Sequence, residues 1–214
     1  MEYILSRLTQ FIIMLPTTLI ALMCHEIAHG WVSTKLGDPT PKMQGRLTFN
    51  PLAHLDPIGT LLMIFTGFGW ARPVEVNPMY YKNRKQGMAL VALAGPLANF
   101  ILAIIGAFFG ILLLKIFSFS YSAVSFITTV MYVFVVRNIN FMVFNLIPLP
   151  PLDGSKILGM VLPNRTYYTM LQYERYAIII LMVLSLSGAF DRIIGTVGYG
   201  VWNLIITMAS SVIL

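Results

Sequence analysis

The sequence predicts an all-α, multi-pass membrane protein with about five to six membrane helices or re-entrant segments and a small β-hairpin or short strands near its chemical centre. Three observations predict it. Of 214 residues, 57% are hydrophobic and 10% charged, whereas a soluble domain carries roughly 25% charged residues. The apolar residues are gathered in the runs 4–36, 55–70, 88–117, 124–147, 177–190 and 193–214. The charges collect between these runs, most densely at Lys82-Asn83-Arg84-Lys85. No polar stretch is long enough for a separate soluble module, so residues 1–214 read as a single membrane-embedded domain.

Taken in order, the first run passes the length of about 20 residues that a spanning helix needs from Thr17 to Leu36, after a kink expected where Pro16 removes a backbone donor. It does not read as a cleaved leader. Glu2 stands beside a lone Arg7, no A-x-A site follows, and a cut near Met23 would fall against the most chemically loaded stretch of the chain. The second run, 55–70, is short, contains Gly59, Gly67 and Gly69, and reads as re-entrant. The runs 88–117, 124–147 and 193–214 are long enough to span, while 177–190 is short and would lean on Tyr173 and Tyr176 at its edge. Two segments have strand character: 44–49, and 72–76, where Val74 and Val76 alternate with polar neighbours and Pro73 confines the segment to a sheet edge.

The formal charge of +6 is scattered through short connections. Nucleic-acid binding requires a broad basic face, so the cations point to anionic lipid headgroups, and no nucleic-acid partner is expected. If 55–70 dips in and returns, Lys35, Lys42 and Arg46 lie on the same side as Arg72, Lys82, Arg84 and Lys85. The positive-inside rule makes that side cytoplasmic and brings Asp153 to the leaflet where the first helix ends. The lone Cys24 forms no internal disulfide.

His25-Glu26-Ile27-Ala28-His29 is the central motif. Residues four apart share a helical face, so the two imidazoles can hold one metal ion, and Glu26, roughly 100° around the helix, can reach water at that ion without being a ligand. With Gly37 ending the helix, His29 lies roughly 12 Å from that end at 1.5 Å per residue. The bland alternative, two imidazoles and a carboxylate pairing with one another, is weakened by the cost of placing three ionisable groups at membrane depth. A catalytic zinc usually has three protein ligands. The third candidates are His54 and a carboxylate in an apolar setting, of which Asp153 fits best because it follows the proline-broken stretch Asn145-Leu-Ile-Pro-Leu-Pro-Pro-Leu. Irregular backbone in a hydrophobic region persists only where protein or a wet cavity satisfies it. The competing reading of Asp153 is the cap of a short helix.

With HEIAH at 25–29, AGPLAN at 94–99 and NLIPLPPLDG at 145–154 in this order, the sequence resembles the site-2 proteases, multi-pass intramembrane zinc metalloproteases. GRLTFNPLAHLDPIGT at 45–60 and FGWARPVEVNP at 68–78 resemble the small members without PDZ or CBS modules. The resemblance covers about 17–162 as a catalytic core, and the C-terminal helices at about 173–214 match only in being hydrophobic. It implies that His25, His29 and Asp153 bind one Zn2+, that Glu26 is the general base, and that Asn145 holds substrate backbone or the developing oxyanion. Asn140 and Asn99 are further substrate or oxyanion candidates, each with the alternative of stitching helices together. His54 is open between a hydrogen-bond donor to a ligand, an oxyanion stabiliser, an inhibitory ligand and an interfacial residue bonded to a loop. The substrate implied is a transmembrane segment of another protein, cut within or near the bilayer of the cell membrane, with the site toward the cytoplasmic leaflet. The rival readings are a metal-ion transporter or sensor, which has no evident need for Glu26, and an inactive scaffold.

Overall fold

The computed structural model describes residues 2–59, 72–172, 176, 180, 181, 183, 184 and 187–213. The helices are α1 (Glu2–Lys35), α2 (Thr40–Met43), α3 (Arg84–Ile116), α4 (Tyr121–Asn145), α5 (Asp153–Gly159), α6 (Asn164–Gln172) and α7 (Ala189–Ile213). Four of them contain stretches long and apolar enough to cross a membrane: Ile12–Lys35, Arg84–Ile116, Tyr121–Asn145 and Arg192–Ile213. Four of the expected five to six segments stand among the described residues, because most of the run 55–70 and part of the run 177–190 lie outside them. α1 continues as helix through Pro16.

α3 shows which solvent this chain is built for. Leu90, Leu93, Leu97, Ile101, Ile105, Phe109, Leu112 and Ile116 are all exposed and recur every three or four residues, so one face of the helix is a stripe of large apolar groups. The buried positions are mostly small, Ala89, Ala92, Ala94, Ala103 and Ala107, beside Val91, Asn99 and Ile111. A water-soluble helix carries the opposite pattern. Small residues inside and large ones outside are what helix packing in lipid favours, since close backbone approach supplies the attraction.

Two compact units make up the chain. In the unit formed by residues 1–21, 99–144 and 179–214, Ala103, Ala107, Ile111, Val135, Ile139, Val143, Ile205 and Ala209 form a core contributed by α3, α4 and α7. Asn99 is fully buried there, and its side-chain amide donates to the Ala21 carbonyl at 2.9 Å and to Asn138 Oδ1 at 3.1 Å, tying α3 to α1 and α4. The second unit, residues 22–98 and 145–178, holds the HEIAH and LDG motifs.

The expected strands are absent among the described residues: 44–49 and 72–76 form no ladder. The backbone donors that a ladder would use are committed elsewhere. Arg46 N–H goes to the Pro41 carbonyl at 3.0 Å. Val74 N–H goes to the Glu26 carboxylate at 2.8 Å and Asn77 N–H to the Asp38 carboxylate at 2.7 Å. Among the described residues, Arg72 N–H to the His54 carbonyl, at 2.9 Å, joins this segment to the preceding connection. Alternation in the sequence reports which residues point alike, and these carboxylates then take the backbone that such alternation would otherwise leave for pairing.

Candidate metal centre and catalytic carboxylate

α1 delivers His25 and His29 one turn apart on one face, both buried, with ring centroids 4.5 Å apart and the rings perpendicular. Asp153 arrives from the start of α5, after the irregular chain that follows α4, and is also buried. Its Oδ2 stands 3.1 Å from His25 Nε2 and 3.1 Å from His29 Nε2, so a carboxylate more than a hundred residues along the chain aims at the same point as the two imidazoles. These atoms all lie within 4.8 Å of one another. Asp153 does not cap its helix: Leu152 is the N-cap residue and makes no side-chain cap bond, while Asp153 Oδ1 faces Lys156 Nζ at 3.6 Å.

His29 Nδ1 lies 2.7 Å from the Val91 carbonyl of α3. A carbonyl only accepts, so Nδ1 carries the proton and Nε2 is the nitrogen left to act as a ligand, the tautomer control typical of metal-bound histidine. α3 also comes unusually near. A methyl group on Gly95 would stand 2.5 Å from His25 Cε1, 2.6 Å from His25 Nε2 and 2.6 Å from His29 Cε1, so only glycine lets the helix cover both rings. At Gly154 an added Cβ would lie 2.3 Å from the Leu146 carbonyl oxygen. Glycine after Asp153 is therefore what allows α5 to fold back onto the chain leaving α4.

Glu26 is outside this cluster, and its Oε2 accepts the Val74 N–H at 2.8 Å. Beyond it, Asp38 is fully buried and accepts from Ser33 Oγ at 2.7 Å, Asn77 N–H at 2.7 Å and Thr40 N–H at 2.9 Å. Burial pushes the Asp38 carboxyl upward, but these hydrogen bonds outweigh it and hold the group below its ordinary value. The network fixes segment 72–77 against the end of α1.

The model of Peptidase family M50 matches residues 10–188. The chain belongs to that family, the site-2 proteases. It is 41% identical over 177 residues to "Putative zinc metalloprotease YwhC" of Bacillus subtilis, covering 80% of this chain and 78% of the relative. It is 28% identical over 198 residues to "Putative zinc metalloprotease Rip2" of Mycolicibacterium smegmatis, covering 88% and 72%. To the protein of the same name from Mycobacterium tuberculosis it is 27% identical over 184 residues, covering 83% and 68%. No solved structure gives a significant match.

This M50 member is accordingly an integral membrane protein and a zinc metalloprotease. The donor set fits that ion: two imidazoles and one carboxylate, with protein supplying three ligands, is a catalytic zinc arrangement, and Gly95 leaves the imidazoles the room they occupy. His54 is buried, with Nε2 donating to the Thr48 carbonyl at 2.9 Å, a loop hydrogen bond. Asn145 is the last residue of α4, at the start of the irregular chain that leads to Asp153. Asn140 lines a cavity of about 400 Å³ with Tyr132, Ile139, Gly198 and Trp202, between α4 and α7. Sequence reasoning missed Gly95, the Val91 carbonyl and the Val74 N–H. Only Gly95 left a trace, inside AGPLAN.

Proposed function

We propose that this zinc metalloprotease hydrolyses peptide bonds within or near transmembrane segments of membrane-protein substrates, the chemistry of regulated intramembrane proteolysis. The observation that carries the reading is the convergence of His25, His29 and Asp153 from α1 and α5 while the neighbouring Glu26 carboxylate is held by a backbone donor instead of joining them. His25, His29 and Asp153 hold the ion, which when bound supplies Lewis acidity that acidifies water and polarises a carbonyl.

The protein's own groups do the rest. Val74 N–H fixes Glu26 Oε2, which directs the carboxylate as it takes the proton of the attacking water and passes it to the leaving amine. Val91 keeps the His29 proton on Nδ1, away from the ligand position. Asn145 donates to substrate backbone or to the developing oxyanion. The substrate helix unwinds first, because its scissile carbonyl is otherwise occupied within the helix. Lys and Arg in the connections on either side of 55–70 support a site toward the cytoplasmic leaflet of the cell membrane.

Replacing Glu26 with Gln tests the reading. The variant should keep its zinc and lose cleavage of a transmembrane substrate by about two to four orders of magnitude, the usual contribution of a general base. Unchanged cleavage refutes the assignment, and unchanged metal flux across vesicles with no cleavage by the unmutated protein would favour a carrier.

A further inference from the structure

Arg46 plays no part in the chemistry above, yet it is 6% exposed. Its guanidinium donates to the Ala53 carbonyl through Nη1, and among the described residues no carboxylate lies within ion-pair distance of it. With one neutral acceptor among the described residues and five donors, this guanidinium has donors left to give to an anion. Arg46 lines a cavity of about 360 Å³ together with Gln44, Gly45, Ala53, Arg72 and Glu75, a volume in the range of small-ligand sites. Arg72, exposed, is a second arginine in the lining. The acidic lining residue, Glu75, is occupied: Oε2 accepts from Gln44 Nε2 at 2.6 Å. Two cations and one carboxylate leave the cavity with a net positive charge, and a guanidinium fork suits the oxygens of phosphate.

The surroundings identify where such a phosphate would come from. The span in α1 ends at Lys35, whose Nζ lies 5.5 Å from the centroid of the exposed Trp31 ring, an aromatic and a cation paired where a helix leaves the bilayer. In the connection that follows, Met43, Phe49 and Leu52 are 82%, 73% and 73% exposed, apolar groups close in sequence to the lining residues and outside any candidate span. Such residues suit the boundary between acyl chains and headgroups, the level at which lipid phosphates stand.

We propose that this cavity binds the phosphate of a membrane phospholipid headgroup, with Arg46 and Arg72 as its donors. Arg72 and Glu75 bracket Val74, whose N–H holds Glu26. An occupied cavity therefore steadies the backbone that orients the Glu26 carboxylate. This coupling rests on the proposed proteolytic mechanism, whereas headgroup binding stands without it.

The test uses the full chain, delipidated in maltoside micelles that contain no phosphate. Native mass spectrometry follows the binding of dioctanoylphosphatidylglycerol, dioctanoylglycerol and inorganic phosphate. The unmutated protein should retain one dioctanoylphosphatidylglycerol saturably, and dioctanoylglycerol should not compete. Arg72→Gln should weaken retention about tenfold, the loss of one charge-assisted contact. Lys82→Gln, an equal loss of charge outside the cavity, should not. Arg72 is exposed, so its variant remains informative even if Arg46→Gln fails to fold. Full retention by Arg72→Gln, or an equal loss in Lys82→Gln, overturns the site. Inorganic phosphate binding as tightly as the lipid overturns the headgroup as its source. Because the readout is binding, its failure leaves the Glu26→Gln experiment untouched, and weakened lipid retention in Arg72→Gln with cleavage unchanged overturns the coupling alone.

Discussion

Replacing Gly95 with Ala adds one methyl group at the closest contact between α3 and the imidazoles. The new carbon would lie 2.5 Å from His25 Cε1 and 2.6 Å from both His25 Nε2 and His29 Cε1. Ordinary contact between such atoms begins near 3.4 Å, so the overlap is about 0.9 Å against two rings at once. Neither ring yields easily: His29 is held through Nδ1 by Val91, four residues from Gly95 on the same face of α3, and both point Nε2 at Asp153. Either α3 moves away and takes the Val91 carbonyl with it, or the imidazoles turn from their convergence. Overpacking of this kind costs about 1–3 kcal/mol of stability, and loss of ligand orientation costs about 10- to 100-fold in metal affinity. Both are read on the detergent-solubilised protein, by thermal unfolding and by zinc retained against a graded chelator. Gly200→Ala is the control, since an added Cβ there meets nothing within 4 Å. It should stabilise α7 by about 0.5–1 kcal/mol, the helical advantage of Ala over Gly. If Gly95→Ala holds zinc as tightly as Gly200→Ala, the crowding argument is wrong.

The depressed Asp38 carboxyl sets a sign for pH dependence. Its folded-state value lies below the ordinary 3.8, so its stabilisation is fully present above about pH 5 and declines as pH falls through the unfolded value toward the folded one. The gap in unfolding temperature between the unmutated protein and Asp38→Asn should be flat from pH 5 to 7 and narrow toward pH 3; a gap that widens in acid contradicts the network. Asn99→Ala should cost about 1–3 kcal/mol by leaving the fully buried Asn138 amide oxygen unpaired, with activity per folded molecule preserved. A fall in kcat at unchanged stability would instead place Asn99 at the substrate. Asp153→Asn should lower zinc retention while α1 stays folded, measured as metal content beside helical circular dichroism; full retention would remove Asp153 from the ligand set.

How much of this was legible in the sequence depends on whether the chemistry resides in side chains or in backbone. HEIAH declares itself because helical period and ligand spacing coincide at His25 and His29, and LDG does so because prolines break the chain where an apolar run should continue. The alternation at Val74 and Val76 is equally clear, but it misleads as a strand signal because the partner of Val74 N–H is a carboxylate forty-eight positions earlier. Local pattern carries no record of such a partner. The same holds for Val91, whose side chain is unremarkable and whose carbonyl sets a histidine tautomer.

AGPLAN makes the division sharpest. Its polar residue, Asn99, draws the eye as a candidate for substrate, yet its amide is bonded to Ala21 and Asn138 within the helix packing. The residue of the motif that meets the imidazoles is Gly95, which offers no functional group at all. Its contribution is the volume it does not fill. A rule that searches for reactive side chains ranks Asn99 first and passes over Gly95, whereas the close approach of α3 to two buried rings requires the reverse order.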